Sequence, residues 1–81
     1  MTLNLLVDTL SHARLSNLKE LRPPGTFIRI LFVFDPRHLA ILLIGGDKQE
    51  RWSAWYRDHI PIAERLYEEY LNELRREGLL E

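Results

Sequence analysis

The spacing of apolar residues changes along this chain, and the changes mark its elements. Over 27–34 the even positions Ile28, Ile30, Phe32 and Phe34 are all apolar, while the odd positions are Phe27, Arg29, Leu31 and Val33. Such a run reads as a β-strand, and two largely apolar faces read as a central, doubly covered one. Residues 17–22 supply a short strand before it. Pro23-Pro24-Gly25 forces the turn between them, because both prolines fix φ and the first keeps Arg22 out of the helical region. Asp35-Pro36-Arg37-His38 makes the next turn. A partner strand follows over 39–44, and Gly45-Gly46 ends it. The pattern predicts an antiparallel three-stranded meander over 17–46.

Beyond residue 50 the period becomes helical. Residues 50–58 predict a short helix with Trp52, Trp55 and Tyr56 on one side, at i, i+3 and i+4. Pro61 suits the first turn of a second helix, where its missing N–H would have no partner in any case. Ile60, Ala63, Leu66, Tyr67, Tyr70, Leu71 and Leu74 form the buried stripe of that helix. Arg75 and Arg76 suit its negative end, and Gly78 fits its C′ stop. Residues 1–16 show no clean period. Ser11, His12, Arg14, Ser16 and Asn17 read as loop, and Leu3, Leu5, Leu6 and Leu10 as a short helix or strand docked on something apolar. The whole is an α+β fold in a single domain over 1–81, with an irregular or short helical arm over 1–16, the sheet over 17–46 and helices over 50–78.

That architecture leaves one surface unaccounted for. A single amphipathic stripe covers one face of three strands. Leu31, Val33 and their neighbours on the other face need a second cover, which sixteen N-terminal residues are too few to supply. A second chain, either a copy or a partner protein, is the simple answer.

Composition narrows the class. Eighty-one residues make one small domain with a marginal core. There is no cysteine, which excludes disulfide staples and thiolate–metal sites. No signal peptide or spanning segment is visible, since the apolar start lacks a basic flank and Asp8 interrupts it. The chain therefore reads as soluble and cytoplasmic. Its net charge of −1 conceals an asymmetry. Residues 1–57 carry eight Lys/Arg against five Asp/Glu, and residues 58–81 carry three against seven. Either the sheet and the helix have separate jobs, or the acids are simply the solvated face of the helix.

The cations fall in or just beyond the strands: Lys19, Arg22, Arg29, Lys48 and Arg51, with the hydroxyl of Tyr56 after them. A small sheet that spaces cations in this way presents a face to an anion, and a nucleic-acid backbone is the natural one. Trp55 adds a ring of the kind on which bases stack. Arg29 stands mid-strand among apolar neighbours, so its guanidinium needs a partner, either Glu20 or a phosphate. Lys48 follows the Gly-Gly strand end, where it either projects into a cleft or is an ordinary loop lysine. Arg51 and Tyr56 can equally be a surface cation and a core aromatic. Cleavage of RNA by its own 2′-hydroxyl needs a base, cations for the phosphate and an acid for the leaving oxygen. His12 is open as such a base. No histidine has a second ligand at metal spacing, so neither a metal nor a cofactor is predicted.

Five strings carry a family resemblance: Val7-Asp-Thr-Leu10, Asn17-Leu-Lys-Glu-Leu-Arg22, Ile28-Arg-Ile-Leu-Phe-Val-Phe-Asp-Pro36, Ala40-Ile-Leu-Leu-Ile-Gly-Gly-Asp-Lys48 and Ile60-Pro-Ile-Ala-Glu-Arg-Leu-Tyr67. In that order they resemble the C-terminal two-thirds of RelE/HigB-type toxins of bacterial type II toxin–antitoxin systems, in the phage-derived HigB-like branch. The resemblance implies a small α+β endoribonuclease that cleaves mRNA, usually on the ribosome, without a metal. A DNA-binding antitoxin of helix-turn-helix type would neutralise it. Carried over, Lys19 and Arg22 match the basic residues of the first meander strand, and Arg29 the arginine opening the next. Lys48 or Arg51 matches the basic residue after the last strand, and Tyr56 the aromatic hydroxyl of some members. The family's usual N-terminal strand and two helices have no counterpart here, and they would cover the bare sheet face. Homodimerisation is the expected repair. Two functions follow: an RNA-cleaving toxin, or a truncated, non-catalytic homologue that dimerises or binds antitoxin. The first requires Lys19, Arg22, Arg29 and Lys48 to converge on an open surface. The second follows if an interface or Glu20 consumes them.

Overall fold

The computed structural model of the chain describes residues 6–10, 13–15, 17–49 and 52–80. Among them run four strands and a helix: β1 (Leu6–Thr9), β2 (Lys19–Arg22), β3 (Ile28–Phe34), β4 (Ala40–Asp47) and α1 (Trp52–Arg76). The strands form one antiparallel sheet in the order β1-β2-β3-β4. The meander is the one the turn signals predict, extended at its edge by β1. That strand pairs Leu6 with Arg22 through Thr9 with Lys19, and the bond from Leu10 N–H to Leu18 O (2.9 Å) carries the ladder on. Four residues are too short for a period to show, so this strand is set by pairing.

Side chains close both turns. Thr26 Oγ1 donates to Pro23 O and accepts from Ile28 N–H, while Gly25 takes a φ of 73° that L side chains rarely adopt. In the second turn the buried carboxylate of Asp35 accepts the N–H groups of Arg37 (2.8 Å) and Leu39 (2.9 Å). Tyr70 Oη donates to the same carboxylate at 2.9 Å, tying the hairpin to α1. Leu31 pairs with Ile44 and Phe32 with Leu42, so Leu43 is the extra residue of a bulge.

Sequence periodicity divides 50–78 at Pro61, but the structure shows a single helix of 25 residues with Pro61 inside it. Proline removes the N–H that would bond the carbonyl four residues earlier, at a cost of about 3 kcal/mol in a helix interior. Packing overrides that cost. Trp55, on the face marked for the first predicted helix, lies before Pro61, and Ala63, Tyr67 and Leu74, on the stripe of the second, lie after it, all buried. The helix stops where the sequence indicates. Gly78, at φ 73°, donates to Arg75 O, and Leu79 N–H reaches back to Leu74 O, which is a Schellman motif.

The helix covers the odd-numbered face of β3. Leu31 and Val33 are fully buried, and Leu31 clusters with Leu18, Trp55 and Ala63. The bare face is therefore the even one, the reverse of the sequence expectation: Ile28, Phe34, Leu42 and Val7 are exposed. On that face Phe32 is buried, with Phe34 edge-on at 5.6 Å. No helix among the described residues is long and apolar enough to cross a membrane.

Candidate functional site

At one end of the covered face, four elements bring charged groups together. Strand β2 presents Glu20 and Arg22 two residues apart, hence on the same face. Strand β3 supplies Arg29. Lys48 follows β4, its N–H bonding Phe27 O so that the ladder continues one residue past the strand. Tyr56 comes from the first turns of α1.

Glu20 is the hub. Tyr56 Oη donates to its Oε2 at 2.6 Å, and Arg22 Nε lies 3.7 Å from its Oε1. Lys48 Nζ stands 3.4 Å from Tyr56 Oη. Arg29 Nη1 donates to Ile28 O at 2.7 Å, while its buried Nε finds no acceptor among the described residues. Glu20 and Lys48 are each 4% exposed and Arg29 9%. Arg22 is the open member, its side chain one-third exposed. Three cations thus face one carboxylate, an excess of positive charge held in low dielectric.

That environment shifts two groups. Burial, then the hydrogen bond and charge of Glu20, push the Tyr56 hydroxyl up to about 12, against an opposing pull from Arg29. Tyr56 is therefore a proton-holding hydroxyl at neutral pH. Burial, then the positive charge of Arg29, lower the Lys48 ammonium below the ordinary lysine value, with Glu20 opposing and Arg22 assisting. A lysine lowered in this way gives up its proton more readily than a surface lysine.

Of the residues singled out from sequence, Arg22, Arg29, Lys48 and Tyr56 come together. Lys19 does not join them. It pairs with Phe32, and strand alternation puts it on the opposite face from Glu20 and Arg22. Trp55 is 6% exposed; its ring stacks on His59 (4.2 Å between centroids) and lies edge-on to Tyr56. A Cβ on Gly46 would come within 2.9 Å of its Nε1, so glycine there makes room for the indole. Trp55 is thus a core ring with no free face for a base. Arg51 and His12 lie outside the described residues. Among the described residues, no three His, Cys, Asp or Glu side chains are placed to hold a metal ion.

Glu20 is the group that sequence reasoning undervalued, as a mere partner for Arg29. The signal was present. Leu18, Glu20 and Arg22 share a parity, and a buried Leu18 implies that the acid two residues on is buried beside Arg22.

Comparison with known proteins agrees with the resemblance. The chain is 53% identical over 66 residues to "Putative toxin HigB3" of Mycobacterium tuberculosis (strain ATCC 25618 / H37Rv), covering 82% of this chain and 58% of that protein. It is 45% identical over 69 residues to "Putative toxin HigB2" of the same organism, covering 82% of this chain and 34% of that protein. It thus spans less than two-thirds of the length of either relative. No solved structure matches it. Residues 4–68 match the family described as "Phage derived protein Gp49-like (DUF891)". With most of its length inside that match, the chain belongs to the Gp49-like family of phage-derived proteins.

Proposed function

We propose that this chain is the toxin component of a type II toxin–antitoxin pair, a single-domain endoribonuclease that cleaves mRNA in the cytoplasm. The observation that carries the reading is the cluster of Arg22, Arg29, Lys48 and Tyr56 around Glu20, with a buried Arg29 donor awaiting an acceptor. A phosphodiester oxygen is an acceptor of the right charge.

In the reaction, Lys48 Nζ in its neutral amine form, which the lowered pKa makes more accessible, accepts the 2′-hydroxyl proton as the 2′-oxygen attacks phosphorus. Arg29 and Arg22 balance the charge that builds on the phosphate oxygens. The bond to the 5′-oxygen breaks, and that oxygen takes its proton from Tyr56, whose oxyanion recovers one from the Lys48 ammonium 3.4 Å away. The products are a 2′,3′-cyclic phosphate and a free 5′-hydroxyl, with no co-reactant required. Glu20 holds Tyr56 and Arg22 in place beforehand. Family likeness supports the remaining context: action on the ribosome, a DNA-binding antitoxin of helix-turn-helix type, and homodimerisation.

A second reading has its own support. Glu20 engages Tyr56 and Arg22, and three of the charged groups are buried, as suits a non-catalytic module that binds antitoxin or its own copy. Expression in a bacterial host, with and without Arg29→Ala plus Lys48→Ala, separates the two. The RNase reading expects growth arrest and mRNA fragmentation from the unmodified chain alone. Growth unaffected by either chain, with both folded, leaves the binding module.

A further inference from the structure

Away from that cluster, a cleft of about 430 Å³ runs along the second half of α1. Leu15, Tyr67 and Leu71 give it an apolar floor, and Glu64 and Glu68, one helical turn apart, line it with acid. Its lining spans residues 64–75 of the helix, roughly 16 Å at the α-helical rise, the length of about five extended residues.

Glu64 is the telling group, a carboxylate only 7% exposed. Its Oε2 accepts Leu15 N–H at 2.9 Å. Among the described residues its Oε1 meets Arg14 Nε at 3.6 Å, from a side chain that is 86% exposed. A contact of that kind is weak, because water screens the cation and the pairing costs side-chain entropy. Among the described residues Glu68 pairs with no cation. Arg75, the cation at the far end, donates to Asn72 Oδ1 at 3.0 Å. The lining holds Glu64 and Glu68 against Arg14 and Arg75, so once Arg14 is displaced its two acids outnumber the one cation that remains.

We propose that this cleft docks an extended segment of a partner protein that carries an arginine or lysine between apolar side chains. The cation would displace Arg14 and sit against Glu64 Oε1 and Glu68, out of water, where a charge-assisted bond is strongest. The apolar neighbours cover Leu15, Tyr67 and Leu71. This assignment does not depend on RNA cleavage and uses none of the residues around Glu20.

The test titrates two blocked peptides, acetyl-Leu-Arg-Leu-Arg-Leu-amide and its glutamate counterpart, into the isotope-labelled full chain and follows amide shifts by NMR. The basic peptide should give saturable shifts over residues 64–75, and the acidic one none. Glu68→Gln, an exposed change, should weaken binding by about two- to fivefold, and Arg14→Ala should strengthen it by a similar factor by removing the internal competitor. Equal response to both peptides, shifts centred on Glu20, no response at millimolar peptide, or weaker binding by Arg14→Ala would each overturn the proposal.

Discussion

Tyr56 shows how much one hydroxyl does here. Its proton satisfies a buried carboxylate, so Tyr56→Phe removes the 2.6 Å donor to Glu20 Oε2 and should cost about 1–2 kcal/mol. The same bond makes stability depend on alkaline pH. A folded pKa raised to about 12 means that the stabilisation is complete below the ordinary tyrosine value of about 10 and is lost as pH rises toward 12. Thermal melting between those limits should fall steeply for the natural chain and less steeply for Tyr56→Phe. Asp35 sets the acid side. Burial raises its pKa, but bonds from Leu39 N–H, Tyr70, Arg37 N–H and the Arg37 side chain outweigh this and hold it below the usual carboxylate value. Its contribution is therefore complete above the ordinary value of about 3.9 and is lost as pH falls through the lowered one. Asp35→Asn should flatten the acid limb of a melting-temperature profile; an unchanged limb would count against this role.

The strands and the helix differ in how far local pattern determines them. Strand β3, the two turns and the Gly78 stop are legible because each has its own signal: alternation, a Pro-Pro-Gly or Asp-Pro pair, a glycine after the last apolar position. The continuity of α1 is not legible, because Pro61 is a local stop that only the burial of Trp55 on one side and Ala63 and Tyr67 on the other overrides. Replacing Pro61 with alanine restores an N–H for Arg57 O. It should stabilise the chain by about 2–2.5 kcal/mol, the helix-interior gain of about 3 kcal/mol less the unfolded-state entropy that proline had removed. Denaturant unfolding measures this; a loss of stability would mean that the ring itself is packed.

Across the whole fold, one helix on four strands among the described residues makes the two sheet faces unequal. Leu31→Ala, at a fully buried position, should cost about 2–5 kcal/mol, whereas Leu42→Ser, on the bare face, should stay within about 0.5 kcal/mol in the isolated chain. If Leu42→Ser costs as much as the core change and also shifts the oligomeric state, the bare face is occupied in solution. Residue types and periods along the chain determined the meander, the helical stripe, the C-terminal stop and a set of cations suited to phosphate, because each depends on neighbours within a few positions. Only the tertiary structure decided which sheet face α1 covers, that Lys19 stands apart, and that Glu20 binds Tyr56 and Arg22. Those outcomes turn on strand register and helix docking, which bring residues 20 and 56 within 2.6 Å and which no local pattern encodes.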